Sequence, residues 1–320
     1  MLKYIGRRLL QLIPVVLLIS ILIFIIIQLT PGDPVGSNLD PRASVEQKMA
    51  ERARLGLDKP IHIRYLKWLG RTIKGDFGYS YIYKRPVIEV VPDFIKNSLI
   101  LNVFVYIFAF ILAIPIGIIT AVKQYSKTDN FFSAFSLFGI SMPTFFFGLL
   151  LIYFFGVKNQ WFPISGMTTI GKNLEGLAKA KDVLMHMILP GLVLIIGSLA
   201  SLVRYTRTSM LEVINQDYIR TARSKGLSEK VVIYKHAFRN ALIPIVTIVG
   251  FTVPSLFSGA VMLETVFNWP GIGRVLVDAV NFRDYNLVMA LNMFFAVLTL
   301  IGNLLADIGY ALVDPRVKVD

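Results

Sequence analysis

Residues 217–244 read DYIRTARSKGLSEKVVIYKHAFRNALIP and lie between two hydrophobic stretches, each long enough to cross a lipid bilayer. The segment carries six basic residues against two acidic ones, so it is too polar to be buried in lipid. Gly226 is expected to follow the end of one short helix as its C′ residue, and Ser228 to begin the next as its N-cap. The pattern therefore predicts a basic, helical loop that protrudes from the membrane and docks with a soluble partner.

The composition excludes an ordinary soluble protein. The 320 residues are 55% hydrophobic, with a mean hydropathy of +0.64, which leaves too little polar cover for a globular surface. The chain has no cysteine, which excludes disulfides, Cys-ligated zinc and thiol catalysis. The net charge of +13 sits largely in loops beside hydrophobic runs and has no nucleic-acid module beside it, so nucleic acid is not an expected partner.

Hydrophobic runs of spanning length predict an all-α, polytopic membrane protein with six transmembrane helices. The runs cover 9–29, 98–122, 131–157, 187–203, 241–263 and 287–309. With the N-terminus inside, the inner segments carry 15 basic residues and the short outer loops carry 6. This bias favours a cytoplasmic position for both termini. The first run is longer than a signal-peptide core and no small-x-small cleavage site follows it, so we expect a retained anchor.

The predicted outer segment after the first span is long enough to fold. Ser44 and Gln47 form a capping-box pair before a helix expected to end near Gly56. A second helix has an apolar stripe formed by Ile61, Tyr65, Trp68 and Leu69. The stripe is either a docking surface for another protein or a cap packed on the membrane helices. The expected organisation is an anchor with outer loop (1–97), a transmembrane core (98–309) that includes a cytoplasmic loop (204–240), and a cytoplasmic tail (310–320).

Residues 218–226, YIRTARSKG, resemble the coupling loop of ABC-importer permeases, in the variant of dipeptide and oligopeptide permeases. Further motifs in the same order extend the resemblance over nearly the whole chain: RRLL (7–10), PGDP (31–34), LGLDKP (55–60), GDFG (75–78), FPISG (162–166), HAFRNALIP (236–244), ETVFNWPGIG (264–273) and DPR (314–316). The sequence is similar in this way to binding-protein-dependent transport system inner membrane components.

The resemblance implies a type I importer core of the MetI-like kind, in the plasma (inner) membrane of a prokaryote. It also implies four partners in addition to the lipid membrane: a homologous second permease, two cytoplasmic ABC ATPases and an extracytoplasmic peptide-binding protein. The ATPases would bind ATP and Mg, while this chain would hold no cofactor or metal and catalyse nothing. The residues implied in ATPase coupling are Tyr218, Arg220, Thr221, Ala222, Arg223, Gly226 and Leu227. Ala222 would allow close approach and Gly226 would make the turn.

The chain departs from the broad permease pattern at three places. Arg220 and Thr221 stand where the broad pattern has Glu and Ala, and the downstream proline falls at Pro244 rather than at the position of Arg239. These departures resemble the peptide-permease branch. Asn286 replaces a proline common at that position, and no function is attached to it.

Two catalytic motifs are incomplete. The segment 166–172 approaches a phosphate-binding loop, but Asn173 replaces the magnesium-binding Ser or Thr and no strand precedes it. The triplet 76–78, DFG, lacks the other kinase signatures. The three histidines, at 62, 186 and 236, are too scattered for a metal site or a triad.

Asparagines within spans are candidates for a substrate path, because unsatisfied polar groups in hydrocarbon are costly and usually face a bundle interior or water. These are Asn102, Asn292 and Asn303. Hydrogen bonding between helices is the alternative explanation.

The main functional prediction is a peptide importer permease that forms half of the translocation path. The same machinery for nickel chelates or glutathione-like ligands is one alternative. An ion-coupled secondary transporter is another, although Asp307 is the only acidic residue within a predicted span. A membrane-embedded enzyme has no catalytic constellation to support it.

Overall fold

The protein is almost entirely helical in a computed structural model, which describes residues 2–29, 44–54, 58–258 and 260–313. The helices are α1 (Leu2–Leu29), α2 (Val45–Arg54), α3 (Ile61–Thr72), α4 (Val87–Val122), α5 (Lys127–Ser141), α6 (Thr144–Leu151), α7 (Gly176–Ile214), α8 (Asp217–Ser224), α9 (Glu229–Val231), α10 (Phe238–Ser258), α11 (Val261–Val266), α12 (Ile272–Asn281) and α13 (Tyr285–Val313). Two π-helical segments, Ile152–Lys158 and Val232–Ala237, follow α6 and α9. Strands β1 (Tyr79–Ser80) and β2 (Arg85–Pro86) form an antiparallel pair. The predicted all-α class is confirmed.

Four of the six predicted spans correspond to single helices. The described parts of α1, α4, α7 and α13 are each long and apolar enough to cross a membrane. Their spanning segments are Leu10–Leu29, Val87–Val122, Gly176–Ile214 and Tyr285–Leu304. Helix α1 keeps much of its apolar surface exposed, as expected of a helix that faces lipid: Leu10 is 68% and Leu18 58% exposed.

The predicted span 131–157 is not one straight helix. Its two halves, Lys127–Ser141 and Thr144–Lys158, meet at an angle of 101°. The break lies at Met142 and Pro143, where Met142 is extended (φ −81°, ψ 125°) because a residue before proline avoids the α conformation. Sequence length alone therefore misread a broken segment as a continuous one.

The predicted span 241–263 corresponds to α10, which ends at Ser258 and is followed by the short helix α11 from Val261. Helix α10 has 21 residues, enough for a spanning helix, although several of its side chains lie outside the part of the chain that the structure describes.

The core is a bundle in which α4 packs along α7, α10 packs against α13, and α1 lies against α13. Helix α4 runs between two separate buried clusters. Val87 and Val90 at its start join a cluster with Trp68, whereas Ile118 and Ala121 at its end join another with Met210. Because α4 crosses the membrane, the two clusters lie near opposite surfaces of the membrane.

The outer segment folds as a cap on the membrane helices. The Ser44–Gln47 capping box is confirmed: Ser44 N donates to Gln47 Oε1 (2.9 Å) and Gln47 N to Ser44 Oγ (3.2 Å). The predicted helix end at Gly56 lies outside the described residues. On α3, Trp68 is buried and Tyr65 bonds Ser20 of α1 at 2.8 Å, so this part of the stripe packs on α1. Ile61, at 48% exposure, does not take part.

The motif 264–273 is organised around one buried carboxylate. Glu264 accepts hydrogen bonds from Ser98 Oγ (2.6 Å) and from the backbone N–H of Arg274 (3.0 Å). Trp269 lies fully buried beside it and donates through Nε1 to Asn97 O at 3.1 Å. This motif therefore ties α11 and α12 to the start of α4.

Candidate functional site

The basic loop predicted from sequence is an ordered pair of short helices at one membrane surface. It consists of α8, a turn at Gly226, α9 and the π-helical segment, and we refer to residues 217–237 as the coupling-loop candidate. It packs on the cluster at the end of α4, and therefore lies on the surface opposite the cap formed by α3.

The turn between the two helices has the predicted conformation. Gly226 adopts a φ of +77°, and its N–H donates to Arg223 O at 2.9 Å. A side-chain carbon at this position would meet nothing within 4 Å, so the need for glycine arises from backbone conformation and not from crowding. Ser228 begins the next helix with an extended backbone, but its side chain makes no capping bond.

Helix α8 is amphipathic, and its apolar face points into its own chain. Ile219 is 0% and Ala222 7% exposed, and both pack in the cluster that contains Met210 of α7 and Ile233. The small side chain of Ala222 permits close packing of α8 on the membrane helices. A close approach of a partner at Ala222 stays a prediction.

The opposite face of the loop is open to solvent. Tyr218 is 44% and Leu227 40% exposed, and Arg220 and Thr221 are exposed beside them. Tyr218 and Leu227 are thus partly exposed apolar side chains in a largely polar loop. Both are accessible to another protein, whereas Ala222 is mostly covered by its own chain.

Arg223 joins the two helices across the turn. Its Nε and Nη2 donate to the Glu229 carboxylate at 3.2 and 2.8 Å. The hydrogen bonds from Arg223 lower the pKa of Glu229, and the same contact raises the pKa of Arg223. Because the two side chains are 41% and 56% exposed, solvent weakens the pair, and its main effect is on the angle between α8 and α9.

A second ion pair connects α5 to α7, one of the helices on which the loop packs. Asp129 of α5 is buried and accepts from Arg207 Nε and Nη2 of α7 at 2.7 and 2.9 Å. Arg207 lies one turn before Met210, against which Ile219 packs. In the sequence, Arg207 counted only among the basic residues that set the orientation, and Asp129 was not predicted to pair with it. Ser126, the N-cap three positions before Asp129, indicated only that a helix begins there.

A cavity of about 290 Å³ adjoins the loop, between the end of α4 and the segment after the turn. Its lining includes Ile119, Val122, Glu229 and Tyr234, and Tyr234 is 53% exposed. This cavity could not be predicted from the sequence, because it forms only when α4 and the loop come together.

The three candidate path asparagines do not form one site. Asn102 is buried and its Nδ2 donates to Leu256 O of α10 at 2.9 Å, which makes it a bond between helices. Asn292 donates to Val288 O of its own helix at 2.8 Å, and Asn303 is exposed. The side chain of Asp307 lies outside the described residues. The structure thus favours helix bonding for Asn102.

No group of three or more His, Cys, Asp or Glu side chains arranged to hold a metal occurs in the described residues. The segment 166–172 lies in a loop before α7, where Thr169 N and Oγ1 each donate to Asp182 at 2.7 Å. This arrangement ties the loop to α7.

Two family models together match almost all of the chain. The N-terminal model of binding-protein-dependent transport system membrane components covers residues 1–102, and the model of the inner membrane component covers 113–319. The oligopeptide transport system permease protein AppB of Bacillus subtilis is 43% identical over 99% of this chain and 100% of its own length. A putative peptide permease of Brucella ovis is 41% identical over the full length of both chains.

The glutathione transport system permease protein GsiC of Salmonella paratyphi A is 37% identical over 99% of both chains. A solved structure of the MetNI methionine ABC transporter in an inward-facing conformation matches 70% of this chain and 96% of its own with a TM-score of 0.53, at 16% identity. That likeness shows a shared fold. With the full-length relatives and both family models, it establishes that the chain belongs to the family of binding-protein-dependent transport system inner membrane components.

Proposed function

We propose that the chain is a permease subunit of an ATP-driven importer for dipeptides or oligopeptides, and forms half of its translocation path. The names of the full-length relatives, which include oligopeptide and peptide permeases, support this substrate class. Its partners are a second, homologous permease, two cytoplasmic ABC ATPases that bind ATP and Mg, and an extracytoplasmic peptide-binding protein. The chain itself transports without catalysing a reaction.

The observation that carries the proposal is the two-sided construction of the coupling-loop candidate. One face, with Ile219 and Ala222, is packed on the membrane bundle, so movement of the loop moves the helices beneath it. The other face exposes Tyr218 and Leu227, an apolar contact for a soluble partner. An element that receives motion from an ATPase needs both a free contact surface and a firm attachment.

The orientation follows from the same assignment. If ATPases dock on this loop, residues 204–240 and the tail 310–320 are cytoplasmic, and the cap within 1–97 is extracytoplasmic in a prokaryotic inner membrane. The cap lies on the opposite surface from the loop, where a peptide-binding protein would deliver its ligand.

Leu227→Asp tests the docking face. We expect it to reduce co-purification of the ATPases with the permease pair, and to reduce peptide-stimulated ATP hydrolysis by about tenfold or more, because it places a charge in an apolar contact. Ile170→Asp is the matched control, since Ile170 is 98% exposed in the segment before α7 and lies outside the loop. Equal ATPase retention and stimulation in Leu227→Asp and wild type would contradict docking on this face.

Glutathione-like ligands are a second candidate class, favoured by the 37% identity to GsiC. Uptake into vesicles distinguishes the classes: di- and oligopeptides, glutathione and nickel chelates are offered separately, with the cognate binding protein and internal ATP. Uptake that persists when the proton gradient is collapsed supports ATP-driven transport. Uptake that stops at once, with ATP maintained, supports the ion-coupled alternative.

A further inference from the structure

A cavity of about 610 Å³ lies at the membrane surface opposite the coupling-loop candidate. Ile27 and Gln28 line it from the last turn of the α1 span, and Tyr285 and Asn286 from the first turn of the α13 span. Two spans therefore end at the cavity. This places it at the depth of lipid headgroups.

Three arginines line the cavity: Arg64 and Arg71 from α3 and Arg283 from the turn before α13. Within the described residues, no carboxylate lies within ion-pair distance of these guanidinium groups, and none of their side chains makes a hydrogen bond. Burial lowers the pKa of Arg64, partly offset by Tyr285. A partly desolvated arginine without a counter-ion favours an anion beside it, and guanidinium groups suit phosphate oxygens.

Apart from the amides of Gln28 and Asn286, most of the remaining lining is apolar or aromatic. Phe24 and Ile27 of α1 and Met289 of α13 are buried, and Trp68 of α3 and Tyr79 of β1 complete this part of the wall. Tryptophan and tyrosine are the residues that membrane proteins place at the level of the headgroups. The cavity thus combines a cationic part with a hydrocarbon-like wall continuous with two spans.

The walls are held in place by the hairpin of β1 and β2. Asp284, fully buried, accepts from Ser80 Oγ at 2.6 Å and from Tyr81 N at 2.8 Å, which fixes the hairpin against α13. Asn286 donates through Nδ2 to Tyr79 O at 3.0 Å. The cavity is therefore preformed by contacts among residues far apart in sequence.

We propose that this cavity binds one acidic phospholipid, with its phosphate among Arg64, Arg71 and Arg283 and the start of its acyl chains against Phe24 and Met289. A volume of about 610 Å³ falls in the range of small-molecule sites, roughly 300–1,000 Å³, and accommodates a headgroup with its glycerol. The lipid would join α1, α3 and α13 at one membrane surface. This site is independent of the transported substrate and of the ATPase contact.

Trp68 supplies a test that leaves the site unaltered. In the full chain carrying Trp161→Phe, reconstituted in phosphatidylcholine nanodiscs, phosphatidylglycerol with brominated acyl chains is added at increasing mole fraction. We expect quenching of Trp68 at a mole fraction about tenfold lower than for brominated phosphatidylcholine. Trp269 is fully buried and contributes a constant background. Equal quenching by the two lipids would overturn the proposal.

The arginines are tested by Arg64→Gln, Arg71→Gln and Arg283→Gln. Each is expected to raise the phosphatidylglycerol fraction needed for half-quenching about tenfold, because each removes a charged donor to phosphate. Lys67→Gln is the matched control, since Lys67 is exposed on the same helix and does not line the cavity. An equal shift in the control would indicate general surface charge, and unchanged affinity in all three arginine variants would exclude a phosphate site.

Free glycerol phosphate and inorganic phosphate distinguish a lipid site from a site for soluble anions. We expect neither to restore the unquenched signal at millimolar concentration, since they lack the acyl chains that contact Phe24 and Met289. Competition by either at concentrations comparable to the lipid would overturn the lipid assignment. Any arginine variant that fails to fold is replaced by the corresponding lysine variant, for which weaker selectivity for phosphatidylglycerol is expected.

Discussion

The Ser98 hydroxyl donates a 2.6 Å hydrogen bond to the Glu264 carboxylate, across 166 positions of sequence. Ser98 is 0% and Glu264 1% exposed. Ser98 Oγ also accepts the N–H of Ile272 at 2.8 Å, so this pair fixes the start of α12 against α4. The contact joins α11 and α12 to the start of α4, at the surface that also carries the cap.

Removal of either partner is expected to destabilise the purified chain. Ser98→Ala and Glu264→Ala should each lower the free energy of unfolding by about 1–3 kcal/mol, because buried hydrogen-bonding groups lose their partners. The double variant should lose less than the sum of the two. Thermal unfolding in detergent measures these effects. Thr265→Ala, at an exposed neighbour, serves as control, and strictly additive losses would contradict a direct Ser98–Glu264 bond.

Gly226 is expected to reject ordinary side chains because of its backbone. At φ +77°, Gly226→Val should strain the turn by about 1–2 kcal/mol or more, alter the angle between α8 and α9, and abolish transport while membrane insertion remains normal. Gly226→Asn should retain much of the activity, since asparagine tolerates this conformation. Substrate uptake by reconstituted complexes is the measurement. Wild-type uptake with valine would show that the turn is not required.

A matched glycine tests whether the Gly226 effect reflects conformation. Gly70, within helix α3, also has open space around it but has no positive φ. Gly70→Ala should leave uptake unchanged or slightly stabilise the helix. A loss equal to that of Gly226→Val would point to a general intolerance of substitution.

Ala222→Trp is expected to disturb the chain itself, before any partner binds. Overpacking the contact between α8 and Met210 should cost about 1–3 kcal/mol and loosen the loop. Limited trypsin digestion of the isolated chain should then cut faster at Arg220, Arg223 and Lys225. An unchanged digestion rate combined with lost ATPase binding would place the contact of Ala222 on the partner instead.

The Arg223–Glu229 pair predicts a pH-dependent loop. The pKa of Glu229 is lowered in the folded chain from its ordinary value of 4.5, so its contribution is present above that value. The contribution is lost as pH falls through the lowered pKa. Glu229→Gln should modestly increase the rate of amide hydrogen exchange in 217–231 at pH 7. The corresponding loss of local stability should be less than about 1 kcal/mol, because the pair is exposed.

The difference between Glu229→Gln and wild type should disappear as pH falls below the folded pKa of Glu229, where the wild-type carboxyl is also neutral. A difference that persists unchanged there would show that charge does not account for the contact. Lys230→Gln is the control at the adjacent exposed position and should not change the pH profile.

Single cysteines test the orientation, since the chain has none of its own. An impermeant thiol reagent applied to sealed cells should label Lys172→Cys and should not label Lys225→Cys until the membrane is opened. Both side chains are exposed, and Lys225 does not take part in the Arg223–Glu229 pair. The reverse pattern would place the coupling-loop candidate outside.

The elements that sequence predicted well are those set by neighbours along the chain. The α1 and α4 spans follow from apolar runs matched to bilayer thickness, and the Ser44–Gln47 box follows from residues three positions apart. Gly226 belongs with them, because a left-handed turn is a property of one residue. The membrane class and the basic loop therefore needed no knowledge of tertiary contacts.

Other features were decided only when distant segments packed together. Ala222 packs in the cluster that contains Met210 of α7, because the amphipathic α8 buries its apolar side on the nearest apolar surface. Asp129 pairs with Arg207, which is 78 positions away in the sequence. Arg64 lines the cavity beside Tyr285 only because α3 packs on α1. Sequence determined which segments enter the membrane and where the chain turns, since these depend on local hydrophobicity and backbone preference. Tertiary structure determined which side chains pair and which remain available, since burial and charge neutralisation depend on contacts between separate helices.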